Sequence, residues 1–144
     1  MTVKRKIIID TNLWISFLLS GKFDFLDYLL EVEAVQLIFS NELLEEIVEV
    51  TCRAKLKKFF KKEDRELIFH IIENYAVLIP VTSVVTECRD QKDDFLLSLA
   101  KDSNADYLLT GDKDLLVLKK YHNTQIVTIS DFRTMNRTEL PTRP

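Results

Sequence analysis

The run Lys6–Asp10 (KIIID) is apolar throughout its centre and closes on an acid, the pattern of a short strand buried on both faces of a parallel sheet. Residues 11–19 then follow at helical spacing, with Leu13, Trp14, Phe17 and Leu18 forming one face, and a second helix is expected from about 23 to 32. Val35–Phe39 reads as the next strand, and Ser40 is a natural N-cap for a helix running to about 52. That helix is expected to pass into a basic helical stretch, 53–62. A further helix over 63–75 opens on Glu63 and Asp64, acids suited to a helix N-terminus. The remaining pattern predicts a strand at Ala76–Val81, a helix at 93–103 and a strand at Tyr107–Thr110. A short helix at 113–120, a strand at Gln125–Ile129 and a last helical turn at 130–136 complete it. Strands separated by helices imply right-handed crossovers. The expected fold class is α/β: a three-layer α/β/α sandwich around a central, mainly parallel sheet.

Composition narrows this picture. A length of 144 residues suits one domain, expected over 1–136, with residues 137–144 a C-terminal tail that carries two Pro and should fray. Two Gly in the whole chain exclude a glycine-rich nucleotide loop. Cys52 and Cys88 are two lone thiols in apolar surroundings, expected as buried free cysteines in a reducing compartment. The apolar run near the N-terminus is too short for a signal peptide, and no stretch approaches a membrane span. A soluble, cytoplasmic protein is expected.

Acids carry the candidate chemistry. In open α/β sheets ligands collect beyond the carboxyl ends of the strands, and two predicted strands end in an acid, at Asp10 and Asp112. Each could serve as a helix N-cap; on adjacent strands they would also share one crevice. In the helix from 93, the apolar face of Leu96, Leu97, Leu99 and Ala100 brackets Asp93, whereas Asp94 falls beside Ser98 on the expected solvated side. A carboxylate turned toward the core needs a cation or hydrogen-bond donors. In the helix from 41, Leu43, Leu44, Ile47, Val48 and Val50 form the expected buried face. Glu46 lies about 40° beyond one edge of it and Glu45 about 60° beyond the other, so periodicity leaves both open with a slight preference for Glu46.

Convergent carboxylates make an oxygen cage for a hard cation, Mg²⁺ or Mn²⁺. His70 and His122 are the only histidines, which disfavours a zinc site built on imidazoles. Such cages commonly serve phosphodiester or phosphoryl chemistry. The net charge of −3 looks wrong for a nucleic-acid partner. Four negative charges, however, belong to the acids just singled out, and the rest of the chain is net positive by one. Arg53, Lys55, Lys57, Lys58, Lys61 and Lys62 place six cations within ten residues. They form either a solvated helix face or a surface that tracks phosphates. Phe59 and Phe60 beside them are expected in the core rather than stacked on bases.

The segments IIIDTN, SNELLEEIVEV followed by RAKL, RDQKDDFLLSLA and ADYLLTGDKDLLVL together resemble the PIN-domain nucleases, in particular the branch that supplies the toxins of toxin–antitoxin pairs. The resemblance runs from about residue 6 to 132. It implies an acidic quartet at Asp10, Glu46, Asp93 and Asp112, with catalytic and metal-holding roles; the family's second acid precedes an aliphatic residue, which selects Glu46. It further implies that Asn12 orients the first aspartate, that Thr110 supplies a hydroxyl beside the fourth, and that Asp90 and Asp114 are accessory acids. The activity implied is Mg²⁺- or Mn²⁺-dependent endoribonuclease cleavage of RNA using one or two ions, restrained by an antitoxin protein, with a homodimer as the usual assembly. Arg53, Lys55, Lys57, Lys58 and Lys61 are the candidate RNA contacts.

Two other enzyme or receiver folds fit less well. A haloacid-dehalogenase-like phosphatase needs a second Asp two residues after the first, where this chain has Asn12. A phosphoreceiver needs its acceptor Asp at the end of a central strand, and neither 35–39 nor 76–81 ends in one. A catalytically silent PIN-like module binding RNA or protein is the alternative from outside enzymology.

Overall fold

A computed structural model describes residues 5–20, 24–31, 35–53, 62–84 and 93–135. Among the described residues, six strands form one sheet in the order β3-β2-β1-β4-β6-β5. β1 (Arg5–Ile9), β2 (Val35–Phe39), β3 (Ala76–Leu78), β4 (Tyr107–Leu109) and β6 (Thr124–Val127) run parallel; β5 (Lys120–Tyr121) pairs antiparallel with β6. The two-residue β5 was not anticipated. The predicted helix over 113–120 stops at Leu116, because the chain must turn back for this edge pairing, with Lys119 at φ 60°. β3 ends before the predicted Val81; Pro80 lacks the N–H that a longer ladder requires.

The helices fall close to expectation. They are α1 (Thr11–Ser20), α2 (Asp24–Glu31), α3 (Asn41–Cys52), α4 (Lys62–Tyr75), α5 (Asp94–Ser103), α6 (Lys113–Leu116) and α7 (Ile129–Met135). Ser40 caps α3 by accepting from the Leu43 N–H at 3.1 Å. Asn104 ends α5 in the left-handed region, a conformation in which Asn is tolerated. α3 does not continue into the basic run: Arg53 is extended at its C-cap, and residues 54–61, with the expected helix there and Phe59 and Phe60, lie outside the described residues. So do Cys88 and the tail 137–144.

Chain travel reverses after β3. β1, β2 and β3 step toward one edge of the sheet, whereas β4 and β6 step toward the other. Right-handed crossovers therefore assign the helices after β1 and β2 to one face and those after β3 and β4 to the other, giving three layers. Ile7, Ile8 and Ile9 are buried on both faces of the central strand, as a doubly covered sheet requires. Trp14 packs on Phe39 with ring centroids 5.5 Å apart, and Phe132 of α7 meets Tyr107 at 5.1 Å and Phe25 at 6.1 Å.

Three expectations about helix faces are corrected. α3 buries Leu43, Ile47 and Thr51, a stripe stepping by four, while Val48 is 43% exposed and Cys52 is exposed rather than buried. The stripe is narrower than the apolar arc of the sequence, so residues at its margin reach solvent. α5 is covered more completely than its pattern implied. Leu96 to Ala100 are all buried, including Ser98, whose hydroxyl donates to the Asp94 carbonyl at 3.2 Å and so satisfies itself within the helix. Asp94 is accordingly half-buried, not solvated surface.

Candidate active site

The reversal of travel between β1 and β4 creates a topological switch point, the place where an open α/β sheet forms a crevice at its carboxyl edge. Ile9 pairs with Leu109 at the last rung, so the next residues on each side, Asp10 and Thr110, emerge together. Asp10 is buried. Its Oδ1 accepts the N–H groups of Asn12 at 2.6 Å and Leu13 at 3.3 Å, which caps α1. Its Oδ2 accepts the Thr110 hydroxyl from the neighbouring strand. The Thr110 Oγ1 in turn accepts the Asp112 N–H at 3.0 Å, and Asp112 caps α6 by accepting the Asp114 N–H at 2.8 Å. Both acids thus cap a helix and are also linked to one another through Thr110, because each carboxylate has more than one lone pair to use.

A second link enters from α3. The Thr11 hydroxyl donates to Glu46 Oε2 at 2.7 Å. Glu46 is half-buried, whereas Glu42, Glu45 and Glu49 are exposed. Asp93 stands immediately before α5, which packs against both β1 and α3. Its side chain makes no capping bond to the helix, and its Oδ2 is shielded from solvent. Asn12 is exposed, and its bond to Asp10 comes from the main chain, not the amide side chain. Asp114 is half-buried in the first turn of α6. Arg53 is exposed and lies 3.7 Å from Glu49, a surface pair of little energetic weight. Asp90, Lys55, Lys57, Lys58 and Lys61 lie outside the described residues.

Thr11 is the residue that sequence reasoning passed over. The available signal was a hydroxyl interrupting the apolar face that Trp14, Ile15 and Leu18 continue, but a Thr at a helix start ordinarily reads as a local cap.

Burial raises the proton affinity of Asp10 above the ordinary aspartate range. Hydrogen bonds from Thr110, Leu13 and Asn12 oppose this, and the nearby charge of Asp112 reinforces it. Two carboxylates that repel one another in a partly dry crevice fit a hard, oxygen-seeking divalent cation, which would relieve both the desolvation and the repulsion. Among the described residues, no three Asp, Glu, His or Cys side chains are gathered closely enough to hold an ion as they stand. The donor chemistry fits a cation.

A family model described as PIN domain matches residues 6–114, a span that includes Asp10, Glu46, Asp93 and Asp112. An uncharacterised protein of Methanocaldococcus jannaschii is 34% identical over 123 residues, covering 81% of this chain and 77% of its own length. Among solved structures, VapBC2 from Rickettsia felis, bound to a DNA fragment from their promoter, is similar with a TM-score of 0.58 at 15% identity; 84% of this chain and 96% of that one are covered. PAE2754 from Pyrobaculum aerophilum is similar with a TM-score of 0.58 at 13% identity, covering 96% of this chain and 92% of that one. With its strand-end acids, its switch-point crevice and these matches taken together, the chain belongs to the PIN domain family.

Proposed function

We propose that this protein is a metal-dependent endoribonuclease that hydrolyses phosphodiester bonds in RNA, and that it is the toxin of a toxin–antitoxin pair acting in the cytoplasm. PIN domains are generally nucleases. The observation that carries the reading is the continuous hydrogen-bonded path from Asp10 through Thr110 to Asp112 across the switch point, with Glu46 held beside it by Thr11.

Asp10, Glu46, Asp93 and Asp112 would hold one or two Mg²⁺ or Mn²⁺ ions, which supply charge neutralisation at the phosphate and ease the removal of a proton from water. The chain's own contribution is preorganisation. Thr110 and the α1 amides fix both oxygens of Asp10, so the carboxylate need not reorient when charge develops. The burial that raises its proton affinity also keeps bulk water from competing at that edge of the crevice. Hydrolysis of this kind leaves a 5′-phosphate and a 3′-hydroxyl and needs no 2′-hydroxyl. Preference for RNA therefore comes from contacts elsewhere, for which Arg53, Lys55, Lys57, Lys58 and Lys61 are the candidates. Similarity in fold to VapBC2, which is bound to promoter DNA, supports an antitoxin partner for this chain, and a homodimer is proposed with it.

Asp10→Asn and Asp93→Asn should each lower Mn²⁺-dependent cleavage of single-stranded RNA by about 100-fold or more while the circular dichroism spectrum is unchanged. A chelator should abolish the wild-type activity. Undiminished cleavage by both variants would sink the mechanism.

A further inference from the structure

We propose that Thr11 is a positioning residue for Glu46, one that sets the affinity of the crevice for a divalent cation; this deepens the nuclease reading and rests on it for the identity of the site. Thr11 is buried, at 5% exposure, as the first residue of α1. A threonine at this position commonly turns its hydroxyl onto main-chain groups of its own helix. Here its one proton is directed to another element, at 2.7 Å from Glu46 Oε2 across 35 residues of sequence. The β-branch restricts χ1, so the donor is held where the backbone of α1 puts it.

Glu46 needs such a hold. Its side chain has several rotatable bonds and leaves α3 beside Ile47, at the margin of the buried stripe where neighbouring glutamates point to water. Without a donor, ordering that carboxylate toward the crevice opposes its rotamer entropy. With the hydroxyl in place, the cost is met during folding, before a cation arrives. One dipeptide therefore addresses two acids. Asp10 offers its own carboxylate and Thr11 aims that of Glu46, while Thr110 secures the same dipeptide from the opposite strand. α1 and α3 pack directly on each other, so the bond spans a contact already made by the core.

Titration calorimetry of the 144-residue chain with MnCl₂ tests this. Thr11→Val, which keeps the shape and removes the donor, should weaken Mn²⁺ binding about 10-fold or more, and Thr11→Ser should restore it to near the wild-type value. In a Glu46→Gln background, Thr11→Val should have no additional effect, since its influence passes through the carboxylate; a merely structural role would persist there. Thr11→Ala replaces Thr11→Val if the latter does not fold, as judged by circular dichroism. Equal affinity in wild type and Thr11→Val overturns the inference, as does an equal loss in Thr11→Ser. RNA cleavage separates it from the nuclease reading. Wild-type protein that binds Mn²⁺ but does not cut RNA removes the nuclease, while the Thr11 dependence of binding still stands or falls by its own measurement.

Discussion

At the scale of single residues, the site is held by hydroxyls more than by its acids. Thr110 is 1% exposed and uses both functions of its hydroxyl, donating to Asp10 and accepting from the Asp112 N–H. Thr110→Val removes both at once and leaves buried polar groups unmatched. It should destabilise the protein by about 2 kcal/mol in urea denaturation, with Thr110→Ser much closer to wild type. The placement of the candidate acids was legible in the sequence. Asp10 and Asp112 close apolar runs, and the helical wheel with the aliphatic neighbour favoured Glu46 over Glu45, which the structure leaves exposed. What could not be read was the partnership Thr11–Glu46, because a hydrogen bond across 35 residues leaves no period in the chain.

Between elements, a similar hidden bond fastens the segment after β3. Asp102, late in α5, accepts the N–H groups of Thr82 at 2.7 Å and Ser83 at 2.9 Å, together with the Ser83 hydroxyl. These donors, the Ser83 hydroxyl foremost, hold the Asp102 carboxyl below the ordinary aspartate range. Because the folded form binds its proton less readily than the unfolded chain, the contribution is complete above about pH 4, the ordinary aspartate range. It is lost as the pH falls through the lowered folded value. Asp102→Asn should therefore cost about 1 kcal/mol at pH 7, a modest figure because solvent screens the group, and the gap to wild type should narrow in thermal melts as the pH falls below the ordinary aspartate range. Elements with strong periodicity, α1, α3 and α5, were predictable; β5 was not, since two residues cannot display alternation. α7 was expected only as a final turn, yet its Phe132 is fully buried between Tyr107 and Phe25. Phe132→Ala should cost about 3–5 kcal/mol, measured by urea denaturation.

For the molecule as a whole, a net charge of −3 does not say where its charges lie. The candidate acids Asp10 and Asp112 follow the carboxyl ends of neighbouring strands, while the strongest basic run in the sequence, 53–62, follows the end of α3, the helix that carries Glu46. Changing Lys57, Lys58 and Lys61 to Glu should weaken RNA binding and flatten its dependence on salt, by about 2 to 3 in the slope of log affinity against log salt. An unchanged slope in filter binding would assign that run to plain solvation. The sheet order has another consequence, which concerns time. Among the described strands β1 is made first and lies at the centre, yet one of its flanks is filled only by β4, and Thr110, just after β4, follows Asp10 by 100 residues. During synthesis from the N-terminus, β1, β2 and β3 can assemble early, but the crevice has only one wall until Tyr107–Asp112 has left the ribosome. No nascent chain that ends before Asp112 can present both strand-end acids, so a protein proposed to cut RNA is built in an order that withholds the finished crevice until its second wall has been made.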